Sequence, residues 1–170
     1  AGLIIEKVTG LSYEDYIEKK LFLPSQMNAS SYTNQEEVIN HRARGYKVKE
    51  GQLLNANLLS MTVPFAAGAL SSTVTDLFRW NRILHESNQL LGKPAYKKLT
   101  TPGLLKNGSS LPLNYALGLA ATRRDGHLAI LHPGGINGFS SMLSYFPEHE
   151  LSVVVLTNTY NRKARSAADK

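Results

Sequence analysis

The last third of the chain constrains its fold most. Four strand-length segments follow one another at residues 115–121, 128–132, 138–146 and 151–157, separated only by turns. Arg124-Asp125-Gly126 carries an Asp-Gly turn signal, and Pro147-Glu148-His149-Glu150 reverses the chain again. Connections this short cannot cross a sheet, so successive strands must pair antiparallel. Residues 153–156 are continuously apolar, the pattern expected of a strand buried on both faces.

The first two thirds read differently. Residues 1–9 place Leu3, Ile4, Ile5 and Val8 at helical spacing, and Gly10 suits a left-handed cap. Ser12, with Asp15 three residues on, predicts the start of a second helix. Its apolar stripe is Tyr13, Tyr16, Ile17 and Leu21, Asp15 can pair with Lys19, and Pro24 ends it. Residues 27–61 are polar and loop-rich, with a short strand at 43–48 turning at Glu50-Gly51. Thr73 and Asp76 predict another helix start, with Leu77, Trp80, Ile83 and Leu84 facing inward. A short helix at 94–100 stops before Pro102-Gly103. Helices first and a meander last give an α+β class, an antiparallel β-sheet flanked by helices. Residues 1–110 form helices and loops, 111–158 the strand meander, and 159–170 the start of a C-terminal helix. The whole reads as a single partial domain, because residue 1 falls inside a helical pattern with no cap before it.

Composition narrows the function classes. No run approaches the roughly 18 apolar residues of a membrane-spanning helix. The absence of cysteine excludes disulfides and thiolate metal sites. The formal charge of +6 comes from scattered residues, with one cluster at Arg162-Lys163-Ala164-Arg165. Nothing interleaves aromatic and basic residues as a single-strand binder does, so no nucleic-acid partner is expected. No metal site is expected either. His127 and His132 are five apart and so face opposite sides of an extended strand, with no carboxylate at short ligand spacing.

The run with most chemistry is Leu131-His132-Pro133-Gly134-Gly135-Ile136-Asn137-Gly138-Phe139. Its His-x-Gly followed by Gly-Phe resembles the last active-site motif of the serine β-lactamase and penicillin-binding-protein family. Four further pieces appear in the family's order. Leu21-Phe22-Leu23-Pro24-Ser25-Gln26-Met27 is similar to an F-x-P-L-G-M turn. Ala67-Gly68-Ala69-Leu70-Ser71-Ser72-Thr73-Val74-Thr75-Asp76-Leu77 is similar to an A-G-G-L-x-S-T-x-x-D-L helix entry. Tyr115-Ala116-Leu117-Gly118-Leu119 resembles a Y-G-L-G-W strand, and residues 153–158 complete the order. The resemblance implies the C-terminal part of a β-lactamase/D,D-peptidase-like fold.

The same resemblance implies acyl-enzyme chemistry, in which a Ser activated by Lys, and in most subgroups by Tyr, attacks a carbonyl carbon. No serine of this chain has a lysine three residues later. Its one Y-x-N, Tyr32-Thr33-Asn34, follows the first helix, whereas the family's second motif precedes that helix, so it reads as a loop tyrosine. What remains is the wall of the cleft. By resemblance His132 takes the cationic position and hydrogen-bonds the catalytic Tyr or the substrate. Gly134 lets substrate lie against the strand, and the Gly135 N–H is one oxyanion donor. Asn137 contacts substrate or shapes the turn. Pro133 replaces the Thr of a K-T-G motif and supplies no hydroxyl, which favours an esterase- or peptidase-like parent over a β-lactam hydrolase.

The expectation is therefore the C-terminal portion of a serine hydrolase acting on an ester, amide or β-lactam, inactive alone and requiring no cofactor. Its partners would be a small-molecule or peptide acyl substrate and the N-terminal half of the same domain. An exposed sheet edge would otherwise drive dimerisation. The alternative is a non-catalytic penicillin-binding-like module that holds peptidoglycan or a partner protein. The family's tendency is the bacterial cell envelope or secretion.

Overall fold

The computed structural model describes residues 1–33, 36–87 and 89–160. Helix α1 (Gly2–Thr9) closes on Gly10, which is left-handed at φ 73° and donates its N–H to the Glu6 carbonyl. Ser12 caps α2 (Tyr13–Ile17), its Oγ accepting from the Asp15 N–H at 3.0 Å. Asp15 pairs with Lys19 at 3.2 Å on the exposed side. A π-helical turn, Glu18–Phe22, then carries the chain to Pro24. Strands β1 (Ser31–Tyr32), β2 (Tyr46–Lys49), β3 (Gln52–Asn55) and β4 (Leu70–Ser71) form two small antiparallel pairs, β1 with β4 and β2 with β3. The β2–β3 hairpin turns on Glu50 and Gly51, both at positive φ, as a two-residue turn of matching twist requires.

Helix α3 (Val74–Glu86) starts on Thr73, whose Oγ1 accepts from the Asp76 N–H at 3.2 Å. Asp76 is buried and fully used. It accepts from the Ala29 N–H at 2.8 Å, the Ser30 hydroxyl at 2.9 Å and Arg79 at 2.7 Å. A buried carboxylate with three donors is tolerable where a bare one is not, and this one fastens the loop before β1 to α3. Helix α4 (Lys93–Thr100) follows.

The main sheet is β5 (Ala120–Arg124), β6 (His127–Ile136), β7 (Phe139–Phe146) and β8 (Leu151–Thr157), in that spatial order and antiparallel throughout. Leu131, Met142, Val153 and Val155 share one face by register and, with Ala120 and Ala129, form one core. His132, Gly134, Ser141 and Leu143 alternate onto the other face. A second core gathers Tyr13, Ile17, Phe22 and Met27 beneath Phe65 and Trp80. Asn81, buried on α3, donates from Nδ2 to the Ser144 carbonyl at 3.0 Å and ties that helix to β7.

Several expectations are corrected. The first strand begins at Ala120 rather than Tyr115, because Gly118 at φ 83° folds residues 116–119 into a turn closed by the Ala116 N–H on the Leu119 carbonyl. Strand β6 runs on to Ile136, past Pro133. Its ladder with β5 ends at Ala120–Leu131, and a strand with an open side accommodates proline. Among the described residues β8 lies at the sheet edge, and its apolar run is not buried on both faces: Leu156 is exposed and Val153, Val154 and Val155 are half-buried. On α3, Leu84 is buried but Leu77, Trp80 and Ile83 are half-buried, and the other buried positions are polar, Asp76 and Asn81. Of the α1 stripe only Ile5 packs against the second core among the described residues, while Leu3 is 72%, Ile4 67% and Val8 78% exposed. The expected C-terminal helix beyond Tyr160, and Asn34 of the Y-x-N match, lie outside the described residues. No helix among the described residues is long and apolar enough to cross a membrane.

Candidate active site

His132 sits in the middle of β6 with its side chain exposed. Its Nε2 lies 3.0 Å from the Tyr115 hydroxyl, and the two rings meet edge to face. A tyrosine hydroxyl can donate or accept, so it holds either neutral tautomer of the imidazole. Tyr115 stands on the turn that precedes β5, and that turn aims it across the end of the strand. Sequence reasoning placed Tyr115 in a family-like strand but gave it no role at the site.

From His132 to Ile136, β6 has β7 on one side and no strand among the described residues on the other. An open strand of this kind can receive an extended substrate backbone. Gly134 lies opposite Ser141, and a Cβ at Gly134 would come 2.1 Å from the Ser141 Oγ. Gly135 is exposed opposite Ser140, with Tyr160 as its neighbour: a Cβ there would fall 3.0 Å from that ring. Gly134 keeps the His132 face of the strand low, and Gly135 does the same on the opposite face.

The turn after Ile136 is held from outside. Gly138 is buried at φ 81°, and a Cβ would come 2.6 Å from the Gly45 Cα and 2.7 Å from the Ala56 Cβ. Asn137 donates from Nδ2 to the Asn57 carbonyl at 3.3 Å. The β2–β3 region thus clamps the end of the β6–β7 hairpin, and Asn158 adds a bond from Nδ2 to the Arg44 carbonyl at 3.1 Å. Asn137 is engaged in this clamp.

A shallow groove of about 660 Å³ lies elsewhere, lined by Pro94, Lys97, Lys98, Leu111, Ala116 and Leu117 among others. Its lining includes none of His132, Gly134, Gly135 or Asn137, so this groove and the motif do not coincide. The chemistry favours the strand.

Histidines elsewhere behave differently. His85 on α3 stacks on Tyr145 at 4.4 Å and bonds the Tyr96 hydroxyl through Nδ1 at 2.8 Å. Burial lowers its pKa to about 4, which keeps it neutral at pH 7. The expectation that His127 has no carboxylate nearby is corrected. Its Nδ1 lies 2.9 Å from Glu148 Oε2 and 3.1 Å from His149 Nε2. The two turns joining β5 to β6 and β7 to β8 share one end of the sheet, so residues 21 and 22 apart in sequence meet. The hydrogen bond from His127 holds the Glu148 carboxyl below its ordinary range.

An imidazole pinned beside an open strand that carries two glycines thus stands on an antiparallel sheet flanked by helices. The family model described as Beta-lactamase matches residues 1–170, and the chain belongs to that family. Penicillin-binding protein 4* of Bacillus subtilis is 28% identical over 169 residues, spanning 92% of this chain and 37% of that protein. The D-aminopeptidase of Gluconobacter oxydans is 26% identical, spanning 91% of this chain and 29% of its own length. Among solved structures, the octameric penicillin-binding protein homologue of Pyrococcus abyssi superposes with a TM-score of 0.78 at 32% identity, covering 92% of this chain and 36% of that one. A D-stereospecific amidohydrolase from Streptomyces shares the fold with a TM-score of 0.81, covering 99% of this chain and 51% of that one. The chain therefore spans under two fifths of the length of these curated relatives.

Proposed function

We propose that this chain supplies the His-x-Gly wall of an acyl-enzyme serine hydrolase of the esterase or peptidase type. The observation that carries the proposal is the His132–Tyr115 pair at 3.0 Å on a strand left open from His132 onward. In this reading His132 hydrogen-bonds the catalytic tyrosine or the substrate, and Tyr115 positions it. Gly134 gives the substrate backbone room, and the Gly135 N–H shares the oxyanion hole with a donor from the nucleophile's own segment. Asn137 serves substrate only indirectly, by holding the turn. The nucleophile and its lysine come from polypeptide outside this chain, which contains no Ser-x-x-Lys. The name of one relative, a D-aminopeptidase, supports an amide substrate.

The same reading assigns a partner to the uncovered apolar surface. Leu3, Ile4 and Val8 on α1 are exposed, and β8 is an open edge. Surfaces of this kind stay uncovered in few soluble proteins. The N-terminal half of the same domain is the occupant proposed here. Self-association of the isolated chain would replace it when that half is absent.

The test uses an activated ester, p-nitrophenyl acetate. The chain alone should show no turnover above buffer. Joined to the polypeptide encoded upstream of it, it should turn over, and His132→Ala should reduce that rate by about 100-fold or more. Turnover by the isolated chain that vanishes in His132→Ala would overturn the need for an outside nucleophile. Ligand binding without turnover in the joined protein would favour a non-catalytic penicillin-binding-like module.

A further inference from the structure

We propose that His127, Glu148 and His149 form a binding site for a divalent ion of the zinc class, at the end of the sheet away from the clamped β6–β7 turn. Each residue offers one ligand atom, and the three atoms lie within 4.8 Å of one another. His127 Nδ1 is 2.9 Å from Glu148 Oε2 and 3.1 Å from His149 Nε2. Bonds of about 2.0–2.1 Å at tetrahedral angles put zinc ligands roughly 3.3 Å apart, close to the two spacings from His127 Nδ1, and the third pair lies within 4.8 Å. Two imidazoles and one carboxylate select a borderline transition ion over magnesium or calcium, which take mostly oxygen ligands. Three protein ligands also leave a fourth position for water.

The hydrogen-bond pattern points the same way. His127 Nδ1 carries either one proton or one lone pair, yet two groups converge on it. One is a carboxylate oxygen that can only accept, and the other is a second ring nitrogen. A proton on Nδ1 satisfies Glu148 and leaves His149 a bent, shared contact. An ion in the centre takes the lone pairs of both rings and the carboxylate together. Binding requires neutral imidazoles with both ligating nitrogens unprotonated, so His127 carries its proton on Nε2 and His149 on Nδ1, and the His127–Glu148 hydrogen bond is replaced by bonds to the ion. The remaining Glu148 oxygen, Oε1, accepts from the Leu128 N–H at 3.4 Å, which orients the carboxylate. Arg123 lies near enough to Glu148 to compete with a cation, and it offers no ligand atom.

Position makes the site separable from the cleft. Five residues of extended strand place His127 roughly 16 Å from His132. An ion there would clasp the β5–β6 turn to the β7–β8 turn, adding to the hydrogen bonds that Glu148 already makes across them.

The experiment titrates zinc ion alone into the untagged, dialysed chain, with a chromogenic zinc indicator as competitor and magnesium as control. One equivalent should bind, and zinc should raise the melting temperature while magnesium does not. His127→Ala, His149→Ala and Glu148→Gln should each weaken binding by more than about tenfold, since loss of an outer-shell partner alone costs 10- to 100-fold. All three side chains are exposed, so circular dichroism of each variant should match the parent. Zinc-edge absorption of the loaded chain should show two imidazoles and oxygen. Failure to take up zinc at micromolar concentrations, or uptake unchanged in all three variants, would overturn the proposal.

Discussion

Two exposed histidines of β6, one mid-strand and one at its start, have opposite origins. Toward the cleft end, His132, Gly134, Gly135 and Gly138 lie within seven residues of sequence, and the strand and its turn arrange them. At the other end, His127 stands alone on its strand and finds Glu148 and His149 across two turns. The cleft end is held by packing: Gly138 lies against Gly45 and Ala56 with no space for a side chain. The other end turns on Gly126 at φ 86°, where a Cβ would meet nothing within 4 Å. A site built by one segment needs a rigid neighbour to fix its orientation. A site built by two turns needs only that both turns keep their register.

The sharpest way to break this comparison is a double dissociation. In the joined hydrolase, His132→Ala should lower kcat/KM by 100-fold or more and leave zinc uptake intact, whereas His127→Ala should do the reverse. Loss of both functions in either variant would mean that the ends are coupled.

Glycine substitutions come next. Gly138→Ala adds a Cβ to a left-handed residue and drives it into the Gly45 backbone, and should cost about 3 kcal/mol in urea unfolding. Gly126→Ala meets only the backbone preference and should cost about 1 kcal/mol. Equal costs would show that the clamp over the cleft end contributes nothing.

A third measurement concerns His85, the half-buried histidine. Its folded pKa is about 4, against about 6.5 for an exposed imidazole. Between those values the unfolded chain binds the extra proton. Stability is therefore fully present above about pH 6.5 and falls as the pH drops toward 4, by up to about 3 kcal/mol. His85→Gln should flatten that part of the profile. An unchanged profile would place the acid sensitivity on other groups, with the exposed histidines the first to examine.

The smallest effect belongs to Tyr115. Tyr115→Phe removes the hydroxyl that holds His132 and keeps the ring. It should lower kcat about fivefold with KM unchanged, the worth of one neutral hydrogen bond of about 1 kcal/mol. A change in KM alone would make Tyr115 a substrate contact instead.

Much of the fold was legible because its signals are local. Ser12 with Asp15, Thr73 with Asp76, and Gly10 act within one helical turn, and all three caps form where the spacing predicts. Turn chemistry at Glu50-Gly51 and Asp125-Gly126 is equally short-ranged. The misplaced start of β5 has a local cause too, but a weaker one, since Gly118 inside Tyr-Ala-Leu-Gly-Leu reads equally as strand or turn. Burial was harder to foresee. Continuous apolarity at residues 153–156 fits a central strand, yet what lies beside β8 depends on which segments are present to pair with it. Asp76 and Asn81 could not be placed inside from sequence, because their partners, Ala29, Ser30 and Ser144, come from distant segments.

By itself the sequence determined the α+β order, the antiparallel pairing and the placing of His132, Gly134 and Gly135 along one strand, since each depends on spacing within a few residues. Only the tertiary structure decided that Tyr115 holds His132, that Asn137 is tied to Asn57, and that His127 meets Glu148 and His149. Those contacts join residues 17 to 80 positions apart. Strand register and turn geometry set such distances, and no short spacing in the chain encodes them.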